Sequence, residues 1–303
     1  MARILVSGGA GLVGRYLVDA LSGAGHEVIV GGCRPPAPGL LSSAVGFVPL
    51  DLDPATDNAP AFDGIDHFVH AAFAHVPGKY RGGEGDDPAG FLRLNLDGTI
   101  RLFEAAKAAG VARAIFLSSR AVYDGVPGDM PLSEDLPLAP ANLYAKVKLE
   151  AEAALAALCG PDFAGASLRA TGVYGPLRPN KWDGLFADYL AGRPVAARAG
   201  TEVHGADLAA AARLLLGAEP ATVTGRAFNA SDITVDTRDI LAPLKAAARC
   251  PHPLPDPAPR ETVRAMPTGR LAALGWRPGG RPLFDATMAA LSRSVAEAGS
   301  ARP

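Results

Sequence analysis

An α/β fold, with a doubly wound parallel sheet covered by helices on both faces, is predicted by three features of this 303-residue chain. Short apolar runs recur at 4–6, 28–30, 45–48, 67–69, 114–117 and 166–168, and helical patterns fill most of the intervals. Alternating strands and helices build parallel sheets, because each crossover has to travel back over one face of the sheet. A glycine-rich turn joins the first strand to the first helix, and 49% of residues are hydrophobic, which is enough to bury a large core.

The first strand is Ile4, Leu5 and Val6, and Ser7-Gly8-Gly9-Ala10-Gly11-Leu12-Val13-Gly14 follows it. Gly8 permits a tight turn, Gly11 lets the backbone approach a pyrophosphate, and Gly14 lets the helix pack closely on the strand. The helix that opens at Leu12 and Val13 is apolar at Tyr16, Leu17 and Leu21. Its first N–H groups and the positive end of its dipole would face a phosphate, so the turn reads as a nucleotide site. The alternative is a glycine turn that binds nothing. The second strand ends in Val30-Gly31-Gly32-Cys33-Arg34, without the carboxylate that usually holds the 2′-hydroxyl of NAD. The donors of Arg34 suit a 2′-phosphate, which favours NADP over NAD; a solvated loop arginine is the other reading.

Helices are predicted over 91–109 and 144–158. Asn95 either anchors the chain around the site or caps a helix over 96–109. Tyr144 and Lys148 stand four residues apart and share one helical face. An ammonium beside a phenol favours phenolate and lowers the tyrosine from its usual pKa of ~10, giving a general acid/base near neutral pH. Beyond Gly175 the pattern becomes irregular, and the proline-rich stretch 250–259 reads as an extended loop.

Together these features resemble the extended short-chain dehydrogenase/reductase superfamily, in its NAD(P)-dependent epimerase/dehydratase group. Further stretches carry the resemblance in order along the chain: Asp51-Leu52, His70-Ala71-Ala72, Asn95 with Gly98-Thr99, Ser119 four residues before Tyr123, Arg169 through Gly175-Pro176, Val203-His204 with Asp207, and Leu274-Gly275-Trp276 before Pro278. The resemblance implies a Rossmann-type dinucleotide domain over 1–175 and a smaller, mainly substrate-binding lobe over 176–303, with later elements returning to the main sheet. It implies Ser119, Tyr144 and Lys148 as the catalytic set. Tyr144 would be the base in oxidation and the acid in reduction. Lys148 would tune it and hold the nicotinamide ribose, and Ser119 would hold the substrate oxygen; Ser119 as a strand-end cap is the structural alternative. Asp51, Leu52, Ala71 and Ala72 join the glycine turn and Arg34 in the cofactor site. Arg120, Tyr174, Trp182 and His75 are candidates for the substrate side, with Tyr80 in the same glycine-rich loop as His75. Tyr174 and Trp182 would equally suit core packing, and His204 with Asp207 a local helix cap.

Three departures narrow the chemistry. Arg120-Ala121 follows Ser119 where the family's 4,6-dehydratases carry Asp-Glu, which counts against water elimination. Gly172 stands where an asparagine contacts the sugar nucleotide. Ala199-Gly200-Thr201-Glu202 replaces the stretch whose arginine holds a diphosphate, a contact worth roughly 1.5–3 kcal/mol. Arg178, Lys181 and Arg198 are the cations left to hold an anion, though each suits a surface charge. The reading is an oxidoreductase acting on a secondary alcohol or ketone of a small carbohydrate-like molecule. An epimerase that retains its cofactor uses the same residues, and a non-catalytic nucleotide-binding scaffold is the reading from another class.

Bulk properties bound the partners. The formal net charge is −2 without a basic stripe, which argues against nucleic acid. No apolar run approaches the ~18 residues of a membrane span. The cysteines, Cys33, Cys159 and Cys250, are few, odd in number and far apart, as expected of a reducing cytoplasm and not of a disulfide framework or a zinc site. The resemblance implies a homodimer through the two long helices; packing on the chain's own sheet would explain their composition equally well.

Overall fold

A computed structural model describes residues 1–76, 79 and 82–300. In chain order its strands and helices are β1 (Arg3–Ser7), α1 (Leu12–Gly23), β2 (Glu27–Gly32), β3 (Gly46–Pro49), β4 (His67–His70), α2 (Pro88–Leu92), α3 (Gly98–Ala108), β5 (Arg113–Ser119), α4 (Leu143–Leu158), β6 (Ala164–Ala170), β7 (Gly172–Tyr174), α5 (Asp183–Leu190), β8 (Ala199–His204), α6 (Gly205–Gly217), α7 (Pro220–Val223), β9 (Arg226–Ala230), β10 (Ile233–Asp236), α8 (Thr237–Ala247), α9 (Gly269–Ala273) and α10 (Gly280–Ser300).

The described residues build a seven-stranded sheet in the order β3-β2-β1-β4-β5-β6-β9, and every pairing in it is parallel. Side chains alternate across it as strand geometry requires. Ile4, Val6, Val28, Val30, Ile115 and Leu168 enter one core with Leu17, Val18, Leu208 and Leu215 of α1 and α6. Leu5, Ile29, Phe68, Ala114 and Phe116 enter the other with Leu102, Phe103, Ala151 and Leu155 of α3 and α4. The inward faces of both long helices thus pack on their own sheet. The strand order reverses between β1 and β4, and a crevice opens there at the carboxyl ends of the strands, the usual place for a ligand in such a sheet.

A second sheet has three strands, β10-β8-β7, with β7 and β8 parallel and β8 and β10 antiparallel. With α5, α8 and α10 it encloses a third core of Tyr174, Trp182, Phe186, Tyr189, Leu241, Phe284 and Met288. The chain passes to this smaller lobe at Thr171, returns to the large lobe for α6 and β9, and leaves again into β10. The loop over 250–259 stays irregular.

The helix expected over 91–109 is interrupted. Arg93–Asp97 forms a π-helical turn between α2 and α3, so Asn95 lies inside the helix and not at its cap. Its side chain closes a two-way pair with the loop after β4: Oδ1 accepts from the Ala74 N–H at 2.7 Å and Nδ2 donates to the Ala74 carbonyl at 2.7 Å. Nδ2 also donates to the Phe91 carbonyl at 3.0 Å. An inserted turn of this kind re-aims a side chain that a regular helix would turn elsewhere. Asn95 is therefore the anchor, and its reading as a cap is corrected.

Candidate active site

The glycine turn makes a cradle. Gly8 has φ +68°, and a Cβ there would lie 2.7 Å from Cα of Ala72, so the turns after β1 and β4 touch backbone to backbone. A Cβ at Gly14 would lie 2.1 Å from the Gly8 carbonyl oxygen, which fixes α1 tight against the turn. At Gly11 the nearest atom is the same oxygen at 3.2 Å, and the space is otherwise open. Gly11 caps α1 without a side chain, so the first-turn N–H groups at Leu12, Val13 and Gly14 carry the dipole of a helix end free of a capping side chain. These residues fit the pyrophosphate of a dinucleotide.

Beneath the cradle runs a buried relay. Ser7 Oγ lies 2.6 Å from His70 Nδ1, and His70 Nε2 lies 2.9 Å from Thr99 Oγ1. The Ala71 and Ala72 N–H groups donate to Ser7 Oγ at 3.2 and 3.4 Å and take both of its lone pairs, so the hydroxyl proton is left for Nδ1 and the imidazole N–H for Thr99. Burial, helped by nearby Lys148, holds the His70 imidazole down at about 3, neutral under ordinary conditions. Ala71 and Ala72 are thereby fixed below the expected cofactor.

On the adenosine side, Asn58 works as a piece of strand. Its Oδ1 accepts from the Asp51 N–H at 3.0 Å and its Nδ2 donates to the Asp51 carbonyl at 2.9 Å. Leu52 follows, and its carbonyl oxygen sits where a Cβ at Gly98 would fall, so the loop lies directly on α3. Cys33 Sγ donates to the Asp51 carboxylate at 3.3 Å, and burial together with that carboxylate pushes the thiol up. A carboxylate therefore does stand at the end of β2, delivered from β3, while Arg34 is exposed beside it.

Ser119 ends β5, and Tyr144 lies in the first turn of α4, which Asn142 caps by accepting from the Ala145 N–H at 2.9 Å. Ser119 Oγ accepts from the Ala121 N–H at 3.1 Å, so it caps the turn over Arg120–Tyr123 and presents its hydroxyl at the strand's end. Lys148 Nζ donates to the Leu117 carbonyl at 2.7 Å, which ties α4 to β5 two residues before Ser119. The ammonium is only 5% exposed and stands among three rings, 4.5 Å from the Phe73 centroid, 4.7 Å from Phe116 and 5.9 Å from Tyr144. Burial lowers Lys148 from 10.5 to about 7, against an upward pull from Glu152. Phe73 meets Tyr144 edge to face at 5.2 Å and holds the phenol from the loop that Asn95 anchors.

One turn beyond Lys148, Glu152 accepts from the Arg169 guanidinium through both oxygens and from Ser118 Oγ, all buried. Arg169 also donates to the Tyr123 hydroxyl at 2.7 Å, and Tyr123 to Asn229 Oδ1 at 2.9 Å. Two consecutive turns of α4 thus grip Leu117 and Ser118, immediately before Ser119. Sequence reasoning missed Phe73 and Glu152. The continuation of the i, i+4 spacing from Tyr144 and Lys148 to Glu152 was the available signal.

Among the substrate-side candidates, Arg120 pairs with Asp124 at 3.7 Å next to Ser119. His75 Nδ1 lies 2.8 Å from the Val76 carbonyl oxygen, and its ring is 6.2 Å from Phe73. Tyr174 and Trp182 stack at 5.8 Å in the core of the smaller lobe. Tyr80 falls outside the described residues. His204 caps α6 by accepting from the Ala206 N–H at 3.1 Å. Arg178 and Lys181 are committed to Asp183 and Glu202. A cavity of about 440 Å³ opens between α4 and β6, lined by Glu152, Arg169, Arg226 and Arg270; Ser119, Tyr144 and Lys148 do not line it.

The profile of the NAD dependent epimerase/dehydratase family matches residues 4–231. A UDP-glucose 4-epimerase of Streptomyces lividans is 36% identical over 155 residues, which are 48% of this chain and 44% of that protein. A 3-beta-hydroxysteroid dehydrogenase of Mycolicibacterium neoaurum is 31% identical over 205 residues, 63% of this chain and 52% of that one. The chain spans about half the length of the curated relatives it matches. The structure of a UDP-glucose 4-epimerase of Thermus thermophilus in complex with NAD superposes with a TM-score of 0.77 at 26% identity, covering 96% of this chain and 99% of that one.

Proposed function

The chain belongs to the NAD dependent epimerase/dehydratase family, and from that premise we propose an NAD(P)-dependent enzyme that interconverts a secondary alcohol and its ketone on a small carbohydrate-like substrate. The observation that carries the reading is the junction of α4 and β5: Tyr144 and Lys148 on one helical face, with Lys148 tied to Leu117 two residues before Ser119. A nicotinamide dinucleotide, when bound, supplies the hydride acceptor and donor. Gly8, Gly11, Leu12, Val13 and Gly14 would hold its pyrophosphate, Ala71 and Ala72 would floor the crevice, and Asp51 and Leu52 would meet the adenosine. Tyr144 takes the hydroxyl proton in oxidation and returns it in reduction. Ser119 Oγ, already receiving the Ala121 N–H, orients its own proton toward the substrate oxygen. Lys148 sets the charge beside Tyr144 and has ammonium donors beyond the one given to Leu117 for the ribose. Arg34 would favour NADP, in competition with the Asp51 carboxylate.

A second reading is an epimerase, and the UDP-glucose 4-epimerase relatives favour it. It uses the same three residues and differs in keeping its cofactor through the cycle. The nucleotide released on denaturing the fresh protein separates the two: about one equivalent per chain supports the epimerase, and an empty protein supports net oxidation or reduction. The hydride-transfer reading itself is tested with Tyr144→Phe on a panel of secondary alcohols. Turnover is expected to fall by about 10²–10⁴-fold with nucleotide binding intact. Turnover within twofold of wild type would remove Tyr144 as the acid/base, and a wild type that binds nucleotide but turns over none of the panel would leave a nucleotide-binding scaffold as the better description.

A further inference from the structure

Two of the sequence departures are one structural feature. Gly172 and Glu202 are register partners across β7 and β8. A Cβ at residue 172 would lie 2.6–2.8 Å from the Glu202 carboxylate atoms, so the carboxylate fills the space that a side chain there would need. Glu202 is 13% exposed and ion-paired with Lys181, which is 26% exposed and stands 5.2 Å above the Trp182 ring. This feature lies near the end of β5 that carries Ser119. Ala170 is the register partner of Ser119, and Gly172 follows two residues later. Adjacent strands lie ~5 Å apart and two residues span at most ~7 Å, so Gly172 is within roughly 12 Å of Ser119.

The charges around the feature point one way. Lys181 is held by Glu202 and Arg178 by Asp183. Tyr174, two residues from Gly172, is 1% exposed, and its hydroxyl has no hydrogen-bond partner among the described residues. After burial itself, the groups that raise its pKa are all carboxylates: Asp232, Asp207, Glu202 and Asp285. Burial and Asp207 also raise the Asp232 carboxyl. Of these four carboxylates, Glu202 is paired with Lys181 and Asp285 with Arg281. A diphosphate arriving beside Gly172 would meet the Glu202 carboxylate, with Lys181 already paired to it.

We propose that Glu202 is a specificity-determining residue: locked to Lys181 above Gly172, it makes the cleft select an uncharged, hydroxyl-bearing alcohol and reject a nucleoside diphosphate sugar. The proposal rests on the hydride-transfer reading above and names its substrate class. The carboxylate accepts a hydrogen bond from a second substrate hydroxyl, and it holds Lys181 where that lysine cannot pair with a phosphate.

The test is calorimetric titration of UDP-glucose into NAD-saturated protein, comparing wild type with Glu202→Gln and Glu202→Thr, the latter a residue suited to a strand. Wild type is expected to show no saturable binding into the millimolar range. Either variant is expected to bind at least about tenfold more tightly, because a like charge is removed and Lys181 is released. Micromolar binding by wild type overturns the proposal without any variant. Folded variants that bind no better than wild type overturn it as well. Nucleotide binding and the Tyr144→Phe comparison, measured on the same wild-type preparation, test the hydride-transfer reading separately. If they succeed while the titration contradicts the expectation, only the role of Glu202 falls.

Discussion

Replacing Lys148 by Met should change the pH dependence of stability in a way that can be worked out in advance. Burial brings the Lys148 ammonium from 10.5 to about 7. Between those values the unfolded chain holds a proton that the folded chain does not, so stability rises with pH across that window. Below pH 7 both states are protonated and the burial cost is felt in full; above 10.5 both are neutral and it is gone. The cost amounts to about 4 kcal/mol at pH 7 and about 2 kcal/mol at pH 9. Lys148→Met removes it at every pH. The variant also deprives the Leu117 carbonyl of its donor, a loss of about 1 kcal/mol that does not vary with pH. His70 lies far below this window, and titrating groups distant from Lys148 are common to both proteins, so they cancel. The assay is urea denaturation of cofactor-free wild type and variant at pH 7, 8 and 9. The stability of the variant relative to wild type should decline by about 2 kcal/mol from pH 7 to pH 9. A constant difference would show that Lys148 is not a buried, proton-shedding amine, and the description of its cage would be wrong.

Two further outcomes follow from the site. Glu152→Ala leaves the buried Arg169 guanidinium without its carboxylate and should cost about 3–5 kcal/mol in urea denaturation, whereas Glu152→Leu combined with Arg169→Met should recover most of the loss. A single-variant loss below about 1 kcal/mol would mean that the pair is open to water. Arg34→Gln should weaken NADP about tenfold or more, the value of a charge-assisted contact, and leave NAD unchanged. Equal effects on the two cofactors in fluorescence titration would remove Arg34 from the 2′-phosphate site and leave Asp51 as the group that selects.

The large sheet was legible because its strands are locally encoded. Ile4–Val6-type apolar runs, the Gly8-to-Gly14 turn and the Tyr144–Lys148 spacing each need only a dozen neighbouring residues. The smaller lobe was not. β7 has only three residues, Gly172–Tyr174, and its partner β8 begins 25 residues after it ends, so neither shows an alternation that stands out from a loop. Asn95 could pass for a cap because a π turn has no side-chain signature of its own; it exists where Ala74 needs both hydrogen bonds. Phe73 and the Arg169 pairing escaped for a related reason, since each joins segments separated by many residues. The carboxylate at the end of β2 was hidden because strand neighbours, not sequence neighbours, put Asp51 beside Cys33.

The repeated passage of the chain between lobes also decides how the protein can be taken apart. A fragment ending near residue 175 would lack β9, the seventh strand, and α6, whose Leu208, Ala212 and Leu215 share a core with Leu17 and Val18. It would expose that face of the nucleotide-binding half and leave the edge of β6 open. Trp276, far along the chain, donates to the Asp207 carbonyl at 2.8 Å and fastens the C-terminal region to α6. The smaller lobe is therefore not a module that can be exchanged by one cut and one splice. Changes to this lobe are made by substitution within strands such as β7 and β8, whose two ends are already sewn into the large lobe.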